Sequence, residues 1–505
     1  MRNSQHIKYK VFTIATLTAF SILVQADESD QNEQLKKLKQ MVEQLQQQRL
    51  EQDKQMELLT KELVGVENQL SHSKIVKAEE KGSSKGAPVL ANFKDGVSFE
   101  DGSGNWKFAI NGRLQADYRH FSPDETAADT FSLRRARLGG TLTFYKDYTA
   151  RVEGEYSGGS TTLTYGYIDI NKLQSAKIRL GQFKPSYGLE RAMSTNFTDF
   201  QERSMADALL GNTFDRGVML YGSPFTGFNY SVAYINGTGT ADENNAKNDG
   251  KDFTTRITGN LAEMMDWKDA VVHVGGFYAD GSEGSRNQAA FLPVGQTEGR
   301  GAQFFNTVCS NPVCGAAVVA NGFKDNVSRT RIGFETALAY KSVKLQSEYI
   351  KSSFDGVNYS RDIDAWYAST MWNVTGEEFL DMYKEGVFGR LKPKNNYKSG
   401  TEGWGALQVG VRYSNFNASD FKTTNVAGTG VLLNAPATPA DGLLVATNKA
   451  AAWTLGSNWI LNPNFRLIAN YIRTNYDTPI LVRVNGNNKS LDKEDALTMR
   501  AQFDF

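Results

Sequence analysis

Cysteine and histidine are scarce, at two and four in 505 residues, and the formal net charge at pH 7 is zero. The four histidines form no cluster and the cysteines sit far from them. No metal site or cofactor is therefore expected. Only His120 and His273 fall in the main folded region, and no nucleophile motif of the G-x-S-x-G kind stands near either, so catalytic machinery is not expected. Zero net charge removes any whole-chain pull toward nucleic acid. No apolar run approaches the roughly 18 residues of a membrane helix, which excludes a helical membrane protein. It does not exclude a membrane β-barrel, whose apolar residues recur at every second position.

Proline is also rare, at 11, whereas the chain has 46 glycines, 29 phenylalanines and 21 tyrosines, a mixture suited to many strands joined by turns. The first 26 residues read as a signal peptide. Arg2, Lys8 and Lys10 open it, Val11 to Val24 form its apolar core, and Val24-Gln25-Ala26 precedes an acidic stretch. The alternative is a short anchor that stays attached. Residues 27–72 read as a coiled coil: Leu35, Leu38, Val42, Leu45, Arg49, Gln52, Met56, Leu59, Leu63, Val66 and Leu70 alternate in steps of three and four. Such a helix implies oligomerisation. Residues 73–91, with "KAEEKGSSKGAPVL", read as a linker. In an exported protein, Cys309 and Cys314 are expected to pair and close a small loop.

From residue 92 onward the pattern is strand, turn, strand. Sixteen strands are predicted, near 106–118, 131–145, 148–157, 162–171, 176–183, 215–221, 227–234 and 252–261, then near 270–279, 328–340, 343–352, 363–373, 403–414, 450–460, 464–474 and 496–505. Short connections such as "KD" at 146–147 and "KS" at 341–342 alternate with long ones, as in outer-membrane barrels. Residues 374–402 break this rule by being long on the short side. Sixteen closed strands leave an interior too wide for side chains to fill. The apolar register must then face lipid and the polar register a water-filled lumen. The expected fold is an all-β, 16-stranded antiparallel transmembrane β-barrel preceded by an N-terminal coiled-coil helix. Its expected place is the outer membrane of a Gram-negative bacterium, with the coiled coil in the periplasm. The last strand, "ALTMRAQFDF", should pair with the first.

Thirteen basic residues fall in the polar register against six acidic ones. Among the basic ones are Arg113, Arg135, Arg137, Arg151, Lys177, Arg179, Arg329 and Arg331. Such a lumen would attract anions. Each of these residues has the alternative role of bracing the wall through a cross-strand carboxylate. The long connection 184–214 carries Lys184, Glu190, Arg191, Asn196 and Arg203. It could fold inward, setting Lys184, Arg191 and Arg203 across a constriction from Glu190, Asp199 and Glu202, or lie over the rim. Residues 280–327 are the other candidate for a mouth or lid. A general or sugar-preferring pore is the alternative function, with Tyr165 and Tyr167 as an aromatic track if the fourth strand takes the opposite register. The coiled coil could tether the barrel to peptidoglycan.

The stretches "SLRRARLGGTLTFYKDY", "YGYIDI", "IRLGQFKPSYGLE" and "FQERSMADAL" resemble the phosphate-selective porin O/P family. The resemblance implies a homotrimer in outer-membrane lipid that passes small anions along a ladder of arginines, with inward-folded loops, a constriction lysine and a nearby aspartate. By that resemblance Arg134 and Arg135 match the paired arginines of "LRRA", and Asp169 matches the lumen acid. The place of the specificity lysine falls near Asn196, with Arg191 the closest cation. Strand alternation puts Arg134 on the lipid phase, so an irregularity or a rim position is expected there.

Overall fold

A computed structural model of the chain describes residues 39, 89–93, 96–240, 251–283, 294–306, 327–356, 359–399, 403–421, 442–484 and 487–505. The expected signal peptide, the expected coiled coil apart from residue 39, and Cys309 and Cys314 lie outside them.

Sixteen strands make the barrel: β1 (Trp106–Ser122), β2 (Thr130–Phe144), β3 (Tyr148–Glu155), β4 (Thr162–Leu173), β5 (Ala176–Phe183), β6 (Asp215–Phe225), β7 (Phe228–Ile235) and β8 (Asp252–Asn260), then β9 (Ala270–Glu283), β10 (Val327–Tyr340), β11 (Val343–Gly356), β12 (Tyr359–Asn373), β13 (Ala406–Asn417), β14 (Lys449–Asn462), β15 (Phe465–Val484) and β16 (Asn487–Asp504). Each pairs antiparallel with the next. β16 pairs with β1 from Asp495↔Ser122 to Asp504↔Arg113, closing the sheet. Closure leaves no unpaired edge, which is what a sheet in hydrocarbon requires. β15 and β16 run well past their predicted bounds because residues beyond Asn475 keep pairing, as in Ile480↔Leu491.

A hairpin of Val89–Asn92 and Val97–Asp101 adds to the sheet through Val97↔Ile110. The expected boundary between linker and barrel at 91/92 therefore falls inside a strand. The stretch 73–91 that read as linker ends with the first three residues of this hairpin's first strand.

The alternation works as membrane physics requires. Every barrel strand shows an exposed large apolar side chain, among them Leu114, Ile168, Leu180, Phe334, Leu455 and Met499. At the short-turn end Trp106, Phe144 and Tyr148 stack in sequence at 5.9 and 5.4 Å. An apolar belt edged by aromatics suits a bilayer and its interface. The inward face is the reverse: Arg329, Arg331, Arg412, Arg500 and Lys344 are among the most buried side chains of the described residues.

Three inserted segments fill part of the lumen. Residues 184–214 enter from the long-loop end. The hairpin Val294–Gln296 with Gln303–Asn306 enters between β9 and β10. The long connection after β12 enters from the short-turn end, so the break in the loop rule is an insertion and the strand count stands. Its Phe379, Met382, Phe388 and Leu391 pack against Leu189, Met193 and Phe200 of the first segment and against Val271, Ala337, Met371 and Ile460 of the wall. Phe304 and Phe305 of the hairpin pack on Phe416, Phe421 and Tyr476. The β9–β15 side of the lumen thus holds apolar cores of its own.

Phe388→Ala should cost the insertion about 3–5 kcal/mol of packing while leaving the strand pairing intact. The expected result is a barrel that still assembles but conducts with larger, noisier single-channel current, read in planar bilayers.

Candidate functional site

Of the two placements open to residues 184–214, the structure shows the inward one. From β16, Arg500 Nη1 donates to Gln201 O at 2.6 Å and Gln502 Nε2 to Asn196 O at 3.0 Å. From β15, Arg466 Nη1 donates to Thr198 O at 3.2 Å. Lys344 Nζ of β11 meets Asp199 at 2.8 Å, and Arg412 Nη1 of β13 meets Glu190 Oε1 at 3.0 Å. A loop laid across a polar wall has many backbone groups to satisfy, and the wall cations supply the donors.

The pairing differs from the one expected. Arg191 and Arg203 do not face Glu190, Asp199 and Glu202; both turn to Asp207 of the same loop, at 2.5 and 3.5 Å. Lys184 Nζ donates to Ala192 O and Met193 O, at 3.0 and 2.8 Å. The three carboxylates pair instead with the wall. The physical reason is local: Met205–Leu210 forms a short helical turn that brings Asp207 beside the two arginines. Asn196 is buried on the far side of the loop and lines a small space of about 30 Å³ against the β12–β13 insertion.

Arg134 lies at an irregularity. The β1–β2 register runs Gln115↔Arg135 and then Ala116↔Leu133, so Arg134 is the extra residue of a bulge. The bulge re-aims it, and both arginines of the pair point inward. Arg134 Nε donates to Glu202 Oε1 at 2.9 Å, and Arg135 Nη1 to Gln115 Oε1 at 2.8 Å. Glu202 also accepts from Arg119 at 3.2 Å and Arg500 at 2.8 Å.

The other expected lumen cations divide into braced and unbraced. Arg137 pairs with Glu155 at 2.6 Å, Arg151 with Glu153 at 2.6 Å, and Arg179 with Asp169 through two bonds of 2.7 Å. Arg329 and Arg331 share Asp252, at 2.7 and 2.5 Å. Lys177 stands 3.9 Å from Glu385 of the insertion. Arg113 donates to Thr195 Oγ1 at 2.8 Å and, like Arg135 and Arg466, has no carboxylate in ion-pair range among the described residues.

Sequence reading missed Arg300, Arg466 and Glu298. Arg300 sits at the tip of the 294–306 hairpin with φ of 64° and an exposed side chain. No strand periodicity points to it. Arg466 was hidden because its register also carries Ile468 and Ile472, which point inward. Glu298 holds the hairpin down by accepting from Arg412 at 2.7 Å, Ser414 at 2.5 Å and Thr454 at 2.5 Å.

Between the loop and the hairpin lies a cavity of about 350 Å³, enough for roughly ten waters. Five arginines line it, Arg134, Arg135, Arg191, Arg203 and Arg300, against the carboxylates Glu202, Asp207 and Glu298. Exposure shows where the wider passage continues. Inward side chains on β11–β16 are sealed: Lys344 and Arg412 are 1% exposed and Arg500 0%. On β3–β5 they are open: Arg151 is 25%, Arg179 17% and Lys177 14% exposed. Water therefore runs along the β2–β6 wall.

The loop's charges are locked. Burial alone would raise the Glu202 carboxyl, but Arg134, Arg500 and Arg135 outweigh it and hold it well below the usual range. Burial opposes Asp207 in the same way, yet Arg191 and Arg203 bring it to about 2. Burial, with Arg203, Arg191 and Arg113 nearby, holds the Lys184 ammonium well below its ordinary value. Burial raises Glu190, against the pull of Arg412.

Comparison with known proteins follows the same lines. The sequence profile of the family described as phosphate-selective porin O and P matches residues 108–505. Porin O of Pseudomonas aeruginosa is 27% identical over 451 residues, 83% of this chain and 93% of that protein. Among solved structures, the anion-selective porin from Comamonas acidovorans aligns with a TM-score of 0.47 at 11% identity, over 79% of this chain and 100% of that one. Pseudomonas putida OprB aligns with a TM-score of 0.48 at 9% identity, over 79% and 94%.

The depressed Asp207 makes a test. Its folded value lies below the unfolded value of about 4. The stability it supplies is therefore full above about pH 4 and lost as pH falls through about 2. Asp207→Asn should lower stability at pH 7 by about 2–3 kcal/mol and remove that acid-side component, measured by thermal loss of the compact band on unheated gels between pH 7 and pH 2.

Proposed function

From the chain's membership of the phosphate-selective porin O and P family, we propose an outer-membrane diffusion channel that prefers small anions, phosphate among them. The observation that carries this reading is the arginine cluster at the inward loop. Arg119, Arg134, Arg135, Arg300 and Arg500 gather about Glu202 and Asp117, and neither Arg135 nor Arg300 has a carboxylate partner among the described residues. A local surplus of positive charge beside the water path raises the concentration of anions there and lowers that of cations. Guanidinium forks suit the oxygens of phosphate. The space of about 350 Å³ is wide enough for a hydrated ion, which favours preference over tight binding.

A sugar-preferring channel is the second reading. Tyr165 and Tyr167 do point inward, opposite Glu153 and Arg151 and in one register with Asp169, and a bulge at Thr164 separates them from the outward Leu163. Arginines already lie on their faces, which favours charged solutes over neutral ones. In the proposed assembly three barrels associate in outer-membrane lipid. The heptad seam of 27–72 supports a periplasmic coiled coil that holds the subunits and reaches peptidoglycan.

In a planar bilayer under a potassium chloride gradient, the reversal potential should show anion preference; equal or cation preference overturns the reading. Arg300→Gln should lower the preference about two- to fivefold, and phosphate should reduce chloride current only at high concentration. Deleting residues 27–72 should leave single-channel conductance unchanged and weaken both envelope attachment and trimer recovery, read by detergent fractionation and cross-linking.

A further inference from the structure

The β2–β6 wall carries a regular alternation of cations and aromatic rings that anion attraction alone does not require. From the long-loop end downward, Arg137 lies 5.3 Å from the centroid of the Phe214 ring. Phe214 meets Tyr165 edge-on at 5.0 Å. Arg151 lies over Tyr165 at 4.4 Å, and Tyr165 contacts Tyr167 at 5.9 Å. Arg179 is held between Tyr167, at 3.9 Å, and Tyr221, at 5.0 Å. Lys177 closes the series 5.7 Å from Tyr221, beside a space of about 90 Å³.

Three features single this series out. Its members come from five adjacent strands and the end of the inward loop, yet the spacing between neighbours stays near 4–6 Å. Its cations keep part of their surface in the lumen, whereas those of the opposite wall are sealed. Glu153 and Asp169, which pair with Arg151 and Arg179, are buried, while Glu155 beside Arg137 and Glu385 near Lys177 stay partly exposed at the two ends, so between those ends the face shown to the lumen is ring and cation. A guanidinium stacked on one aromatic ring has a second planar face free to take another.

We propose that this wall is a sliding track for aromatic carboxylates, small planar rings bearing one anionic group. The ring continues the series by stacking on the free face of Arg137 or Arg151, while the carboxylate meets the next guanidinium or the Lys177 ammonium. Successive sites of similar strength let the solute step down the wall without a deep trap, which conduction needs. A neutral sugar lacks the charge, and a small inorganic anion lacks the ring. The proposal rests on the anion-preferring reading above and names a solute class within it.

The test uses the full-length purified protein in planar bilayers, with chloride current as the reporter and benzoate, cyclohexanecarboxylate and acetate as competing probes. Benzoate is expected to half-block chloride current at a concentration about fivefold below that of either of the others. Tyr165→Phe keeps a ring under Arg151 and should keep the benzoate preference. Tyr165→Leu removes it and should bring benzoate toward the acetate value. The comparison is a ratio within each variant, so a general change in conductance cancels. Benzoate and cyclohexanecarboxylate acting alike would overturn the track, as would an unchanged ratio in Tyr165→Leu. A wild-type reversal potential without anion preference would instead overturn the underlying reading, and the two failures are read from separate measurements.

Discussion

Sixteen strands closed on themselves enclose more space than their own side chains can fill, and every other feature of this protein answers that constraint. The apolar register is committed to lipid, so the interior must be built from polar residues that find partners. The chain supplies those partners from three inserted segments. Wall cations such as Arg412, Arg500 and Lys344 then act first as anchors: each ends on a loop carboxylate or carbonyl. The segments bring apolar surface as well, and bury it on the β9–β15 side. One half of the barrel becomes a packed interior and the other stays wet.

That division changes what the arginine excess means. Thirteen basic against six acidic residues in the polar register suggests a strongly positive pore. Much of the surplus is cancelled by acids outside the predicted register: Glu190, Asp199, Glu202 and Glu298 on the inserted segments, and Asp252 on β8. What remains is decided by position. Arg113, Arg135, Arg300 and Arg466 sit about the inward loop without a carboxylate partner among the described residues. A chain with no net charge can still hold a basic passage because its acids are tied to anchoring cations, while cations without a carboxylate partner among the described residues gather at the inward loop.

The strand pattern was legible because lipid on one face and water on the other impose a strict period of two. All sixteen strands could be placed from it, and so could the pairing of the last with the first. What escaped were departures from that period. Arg134 lies on the wrong phase until a bulge turns it inward, and a bulge leaves no compositional mark here. Tyr165 and Tyr167 were ambiguous for the same reason, since another bulge, at Thr164, separates them from the outward Leu163. Arg300 belongs to a hairpin that obeys no membrane period at all. The family motifs pointed to Arg134 and Asp169 where alternation could not settle them.

The two bulges also tie the fold to the passage. A regular β2 would send Arg134 to lipid, where a charge at mid-depth costs about 2–4 kcal/mol, and would leave Glu202 with two of its three arginines. On β4 the shift at Thr164 lets Leu163 face lipid while Tyr165, Tyr167 and Asp169 keep one inward register beside Arg151 and Arg179. Register shifts are not confined to this side: β14–β15 slips between Ile460 and Asn462 and β15–β16 between Asn475 and Ile480, whereas β10 and β11 pair without one. What sets the shifts on β2 and β4 apart is what they aim inward, a charge in one case and two rings in the other, at the wall that borders the wet half.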